Sequence, residues 1–265
     1  MIIFYTNLHS IKTMCIVCRW NSGEEKINLN IEKLDCGTCK QLTSIPQLPE
    51  LEYLYCNGCT NLTNIPVMPK LKELFCTGCT SITSISELPK LEELYCRGCT
   101  QLTSIPLLPK LKVLDCGYCP ALTSISAFPE LRKLYCWHCT SLTSIPLLPK
   151  LEKLWCGGCT AVTNIPVMPE LKKLYCQYCT SLTSIPPNLE IFCMGCKWLK
   201  EWCDFSSNIT ELKKCQTIFK RKLTARKLDH IIPAITEIYY SPGCKGEYIA
   251  LRAFQGNIAS RVYNS

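Results

Sequence analysis

Apolar residues recur along this chain at a fixed beat. From Ile31 to about Pro186 the same order of apolar and polar positions returns every 20 residues, in units that open at Ile31, Leu51, Leu71, Leu91, Leu111, Leu131, Leu151 and Leu171. A shortened ninth unit, NLEIFCMGCKWL, follows at 188–199. Each full unit reads L-x-x-L-x-C-x-x-C-x-x-L-T-S/N-I-P/S-x-L-P-K/E with small variations. In the unit from Leu91, Leu94 and Cys96 alternate with Glu93, Tyr95 and Arg97. That alternation predicts a short strand with one inward face. Leu102, Ile105 and either Leu107 or Leu108 supply the rest of the interior. Pro106 and Pro109 then exclude a regular helix on the return, because proline lacks an amide donor and biases the residue before it towards extended geometry. Ser86 and Ser126 stand at the first proline position of their units, but Pro89 and Pro129 remain. The return is expected to be extended or polyproline-like, with at most a single 3₁₀ turn.

One such unit cannot bury its own apolar edge. Stacked units share a continuous core and a parallel sheet along one side. At roughly 4.8 Å per strand, that sheet runs on the order of 40 Å. The period lies within the leucine-rich-repeat range. The segment L-x-x-L-x-C-x-x-C-x-x-L-T resembles leucine-rich repeats of the cysteine-containing kind. The I-P-x-L-P return resembles the short repeats of bacterial leucine-rich effectors. The uninterrupted array with the tail IIPAITEIYYSPGCKGEYIA is similar to leucine-rich-repeat proteins of giant amoeba viruses. The repeat resemblance covers 31–199. It implies an α/β repeat solenoid: an arc with a parallel concave sheet, a largely non-helical convex side and a short helical C-terminal cap. It also implies binding to a protein, a host protein in the viral case, and nothing catalytic. The domain division that follows is an N-terminal cap at 1–30, about nine 20-residue repeats at 31–199, and a helical cap or small tail domain at 200–265.

Composition changes this picture mainly through sulfur. The chain has 23 cysteines in 265 residues. The N-terminal stretch MIIFYTNLHSIKTMC is broken by Asn7, His9 and Lys12 and does not read as a secretory signal. No run of 18 apolar residues suggests a membrane span. An intracellular protein in the host cytoplasm is therefore expected, with most cysteines as free thiols. The net charge is +8, and from Lys197 onward 12 Lys or Arg face 6 Asp or Glu. A basic tail can meet anionic partners, but a solvated helical face explains it as well.

Two cysteine columns run through the array. The first is Cys36, Cys56, Cys76, Cys96, Cys116, Cys136, Cys156, Cys176 and Cys193; the second is Cys39, Cys59, Cys79, Cys99, Cys119, Cys139, Cys159, Cys179 and Cys196. Adjacent C-x-x-C pairs match a four-thiolate zinc spacing. Every adjacent pair satisfies it, however, and nine pairs leave one over. The first column also points into an apolar core, where a thiol acts as a small hydrophobe with a raised pKa. A thiol-lined core with weak S–H donors towards loop carbonyls is the expectation, with no metal and no cofactor. Structural zinc binding and disulfides across stacked strands remain the alternatives. The ladder Thr43, Thr63, Thr83, Thr103, Thr123, Thr143, Thr163 and Thr183 is expected to bond turn backbone from buried positions.

The residue between the strand leucine and the first cysteine points outward. In order these are Asp35, Tyr55, Phe75, Tyr95, Asp115, Tyr135, Trp155, Tyr175 and Phe192. Aromatics are favoured in strands and stabilise sheets by cross-strand stacking. Tyr and Trp are also enriched at binding hot spots. The candidate partner-binding residues are Tyr55, Phe75, Tyr95, Tyr118, Tyr135, Trp137, His138, Trp155, Tyr175 and Tyr178, densest around Tyr118, Tyr135, Trp137, His138, Trp155 and Tyr178. The flanking column Lys33, Tyr53, Glu73, Glu93, Val113, Lys133, Lys153 and Lys173 is mixed, then basic. It forms no continuous phosphate track, so a protein partner is expected rather than nucleic acid.

At the ends, Met14, Cys15, Val17 and Cys18 read as a degenerate strand of an N-terminal cap, and 209–232 as a helix with Leu212, Cys215, Ile218, Phe219, Leu223 and Leu228 on one face. Bacterial leucine-rich effectors include ubiquitin ligases with a nucleophilic cysteine beyond the repeats, for which Cys203, Cys215 and Cys244 are the candidates here. Cys203 precedes Asp204 directly, where that family has one residue between cysteine and acid. The tail is also far shorter than that catalytic domain, and a ligase-adaptor reading lacks its N-terminal helical domain. The only histidines are His9, His138 and His230, and no nucleophile–base pair stands out. A non-catalytic interaction scaffold is the expectation.

Overall fold

A computed structural model describes residues 15–23, 29–183, 185–186, 189–193 and 196. The chain divides into two units, Met1–Ile209 and Thr210–Ser265, and every described residue belongs to the first. The expected C-terminal helix and Cys203, Cys215, Cys244, His9 and His230 lie outside the described residues.

The described chain is a parallel β-solenoid. Nine strands, Lys33–Asp35 through Glu190–Phe192, form one parallel sheet in sequence order. The register steps by one repeat per strand, so that Leu34 pairs with Leu54, Leu54 with Leu74 and Leu74 with Leu94. At the last pair the step shortens and Leu174 meets Ile191. On the return side, among the described residues, only Asn64–Ile65 and Ser84–Ile85 pair as strands. The remaining returns are extended without regular structure, as their prolines require.

The core is a set of columns. Leu51, Leu54, Cys56, Cys59, Leu62, Ile65 and Met68 are all fully buried, and their counterparts are buried through the coils from Leu71 to Leu151. Each buried leucine contributes about 1.5–3 kcal/mol relative to exposure. The ambiguity at the return resolves one way: Leu108 is buried and Leu107 lies on the surface, 58% exposed. On the outer edge, charges of alternating sign tie neighbouring coils, as in Lys70–Glu50 at 2.5 Å, Lys112–Glu92 at 2.6 Å and Lys150–Glu130 at 2.7 Å. Such exposed pairs add little stability, but a slipped register would set like charges together.

Three expectations are corrected. The α/β class gives way to a β-solenoid with almost no helix, because the only described helix is Ile16–Asn21. That helix also replaces the expected cap strand. A short apolar run fits either state. A helix satisfies its own backbone groups, whereas a strand there would leave an open edge. Finally, the threonine column is exposed rather than buried; Thr63 and Thr183 still donate to the carbonyls of Thr43 and Thr163, at 3.4 and 3.1 Å.

Candidate functional site

After each strand the chain turns through C-x-x-C. In six coils the amide of the second cysteine donates to the carbonyl of the first, as from Cys79 to Cys76 at 3.2 Å. The residue just before the second cysteine takes a positive φ, as a type II turn requires at its third position. Thr38 opens the series at φ 60°, and at Gly58, Gly78 and Gly98 φ is 71°, 73° and 72°. From there the chemistry changes: Tyr118, His138 and Tyr178 hold φ of 57°, 54° and 57°, with Gly158 at 74° among them. A side chain in this region costs roughly 1–2 kcal/mol relative to the right-handed form, a strain glycine avoids.

The aromatics of the strands form two stacks. Tyr55, Phe75 and Tyr95 make the first, with ring centroids 4.8 and 4.6 Å apart and interplanar angles of 11° and 7°. Tyr135, Trp155, Tyr175 and Phe192 make the second, with centroids 4.3, 5.0 and 4.6 Å apart. Asp115 separates them. Its carboxylate accepts from the amide of Gly117 at 3.1 Å, and Asp35 does the same for Gly37 at 2.9 Å. Burial raises the Asp115 carboxyl above its ordinary range, with the Gly117 amide and the Arg97 charge acting the other way. Burial also raises the Tyr135 and Tyr95 phenols; Tyr95 donates to Glu93 at 2.8 Å.

Around the second stack the side chains enclose a cleft of about 480 Å³, lined by Trp137, His138, Trp155, Gly157, Gly158, Tyr175, Gln177 and Tyr178. Its origin is local. The coil from Leu151 carries Gly157 and Gly158 where the coil before has Trp137 and His138 and the coil after has Gln177 and Tyr178. The missing side chains leave a notch. His138 leans into it, since a Cβ on Gly158 would stand 2.5 Å from its Nδ1. Trp137 meets the edge of Tyr135 at 6.3 Å and 72°, and Tyr118 packs on His138 at 4.7 Å. The Arg97 guanidinium lies 4.8 Å from the Tyr118 ring and 5.8 Å from the Trp137 ring.

Of the candidate residues, Trp137, His138, Trp155, Tyr175 and Tyr178 come together at the cleft, with Tyr118 and Tyr135 against its rim. Tyr55, Phe75 and Tyr95 form the separate first stack. Sequence reasoning missed Gly157, Gly158, Gln177 and Arg97. The signal for the glycines was the pair itself, the one coil in which both turn positions beside the aromatic column lose their side chains between two coils that keep them.

The cysteine columns build the turn of each coil. From Cys59 to Cys179, each second-column thiol lies 2.9–3.2 Å from the carbonyl of the first-column cysteine one coil back, and Cys196 does the same with Cys176 at 3.1 Å. First-column thiols such as Cys96 and Cys136 are held well above the ordinary thiol range, by the facing second-column thiol and by burial. They are poor nucleophiles for that reason.

A family model described as leucine-rich repeats in two copies matches residues 49–90 and again 89–130. No curated protein matches the chain. Among solved structures, a leucine-rich repeat protein from Bacteroides ovatus is similar at 18% identity and a TM-score of 0.35, over 63% of this chain and 59% of that one. The chain thus spans less than two thirds of that protein's length.

Proposed function

We propose that this cysteine-rich leucine-rich-repeat protein binds a protein partner on the exposed face of its parallel sheet, with the Trp137–Tyr178 cleft at the centre. Leucine-rich repeats are in general interaction scaffolds and are typically non-catalytic. The observation that carries the reading is the change at the positive-φ turn position. After Thr38 in the first coil, three coils fill it with glycine; three later ones hold the large side chains of Tyr118, His138 and Tyr178 there against backbone strain. Tyr118 and Tyr178 are then 42% and 53% exposed, so their burial does not repay that strain. Strained residues that hold exposed side chains cluster where function needs them.

The partner segment carries a large apolar side chain and acidic neighbours. The cleft takes the first. Lys133, Lys153 and Lys173 flank the second stack and favour the others, although Lys173 also pairs with Glu190 at 3.0 Å. The setting we propose is the host cytoplasm, where thiols stay reduced. The test is a displayed peptide library selected on the full chain and counter-screened on the variant Tyr135→Ala, Trp137→Ala, Trp155→Ala. Enriched acidic–aromatic peptides that lose affinity at least about tenfold on the variant support the reading. Peptides that bind both forms equally, or tighter binding of an oligo-dT strand, would sink it.

A further inference from the structure

The cysteine ladder has an anomalous first rung. Where every second-column thiol from Cys59 to Cys196 meets a carbonyl of the coil before, the Cys39 sulfur meets another sulfur, that of Cys18, at 3.5 Å. Among the described residues no coil precedes the one from Ile31. In its place stands the helix Ile16–Asn21, which brings Cys18 to the end of the column, with Cys15 at the residue before it. The sulfurs of Cys15, Cys18 and Cys39 all lie within 4.8 Å of one another. The Cys36 thiol, three residues before Cys39, lies within interaction range of the Cys15 thiol but outside this group of three.

Four observations agree on what such a cluster takes. A tetrahedral Zn–S₄ centre with bonds of about 2.3 Å has sulfur–sulfur edges of about 3.8 Å, close to the spacing already present among Cys15, Cys18 and Cys39, and Cys36 is the neighbouring thiol that moves in as the fourth ligand. The pairs Cys15-x-x-Cys18 and Cys36-x-x-Cys39 enclose 17 residues, inside the range of four-thiolate sites. Cys18, Cys36 and Cys39 are buried and Cys15 is half-buried, so the site is dry with one open approach. The six-residue helix is too short to be stable alone, yet it covers an end of the core that a solenoid must close.

We propose that Cys15, Cys18, Cys36 and Cys39 hold one structural zinc ion that staples the N-terminal helix to the first coil. The four thiols lose their protons as they bind, and the closed four-sulfur shell leaves no position for catalysis. The array cysteines from Cys56 to Cys179 do not bind metal, because each second-column thiol there has its carbonyl and each first-column thiol is buried in its apolar column. The ligand class is a soft divalent ion, with zinc as the resident and cobalt(II) as its spectroscopic probe.

The full chain, prepared under reducing conditions, is analysed for metal. One equivalent of zinc per chain is expected, and cobalt(II) exchanged into the wild type should show the thiolate charge-transfer and visible bands of a tetrahedral four-sulfur site. Cys18→Ser and Cys39→Ser should lose the equivalent, whereas Cys99→Ser, an array thiol, should keep it. Should the cap variants fail to fold, the wild type still decides, because a thiol-blocking titration with a zinc indicator should release the ion as the first few thiols react. No metal after zinc-supplemented refolding, several equivalents per chain, an octahedral cobalt spectrum, or a Cys18–Cys39 disulfide that survives the reductant would each overturn the proposal.

Discussion

The coils from Leu51, Leu71 and Leu91 and those from Leu111, Leu131 and Leu171 share strand, core and turn, yet they differ at one position of the turn. The early coils place Gly58, Gly78 and Gly98 there; the late ones place Tyr118, His138 and Tyr178. The core has no stake in the choice, since Leu74 and Leu134 are equally buried. The glycines of the early stretch follow the backbone's preference at positive φ, which Thr38 in the first coil does not. The late stretch departs from that preference at the positions that frame the cleft. A repeat protein thus carries its own control, in which equivalent residues in neighbouring coils separate what the fold needs from what the surface is for.

Six substitutions test that separation. The largest effect is expected on binding: Trp155→Ala removes the ring packed between Tyr135 and Tyr175 and should cost at least about 2 kcal/mol of affinity for a selected peptide. Phe75→Ala, at the same place in the early stack, should leave that affinity unchanged in calorimetric titration. Next, Gly158→Ala and Gly78→Ala should each lose about 1–2 kcal/mol in urea unfolding, from the positive φ alone. Gly158→Ala should lose more, because its Cβ would meet His138 Nδ1 at 2.5 Å while that on Gly78 meets Gly58 Cα at 3.9 Å. In a His138→Gly background the difference should vanish.

His138→Gly itself releases about 1 kcal/mol of strain and gives up a ring contact of about 0.5–1.5 kcal/mol, so stability should hold to within about 1 kcal/mol while peptide affinity falls. A parallel fall in both would show that the late stretch is built for stability after all. The smallest effect concerns the break between the stacks. Burial raises the Asp115 carboxyl, so its favourable contribution is present at acid pH and is lost as pH rises through the raised value. Asp115→Asn keeps an acceptor for Gly117. It should raise the melting temperature at neutral pH and give no gain well below about pH 3.9.

Much of this was legible in the sequence. The unbroken period set the number of coils, and the alternation around Leu94 and Cys96 set which residues face in. What escaped reading has physical reasons. Leu107 and Leu108 are alike in hydrophobicity, and only the path of the proline-bounded return decides between them. The run Cys15–Trp20 is too short for a period to show, so its helix could not be told from a strand. The aromatic column was visible, but its division at Asp115 depends on ring stacking between coils, and the cleft depends on side chains that are missing. A search for aromatics finds the walls of such a site and overlooks Gly157 and Gly158, which make the space.

The ladder of thiol-to-carbonyl contacts has a mechanical consequence. Each rung, like each strand pairing, ties a coil only to its immediate neighbour. Tension along the stack therefore meets one boundary at a time, as in a zip fastener. Pulled from its ends, the solenoid should pay out in equal lengths of about 60–70 Å, the reach of one 20-residue coil.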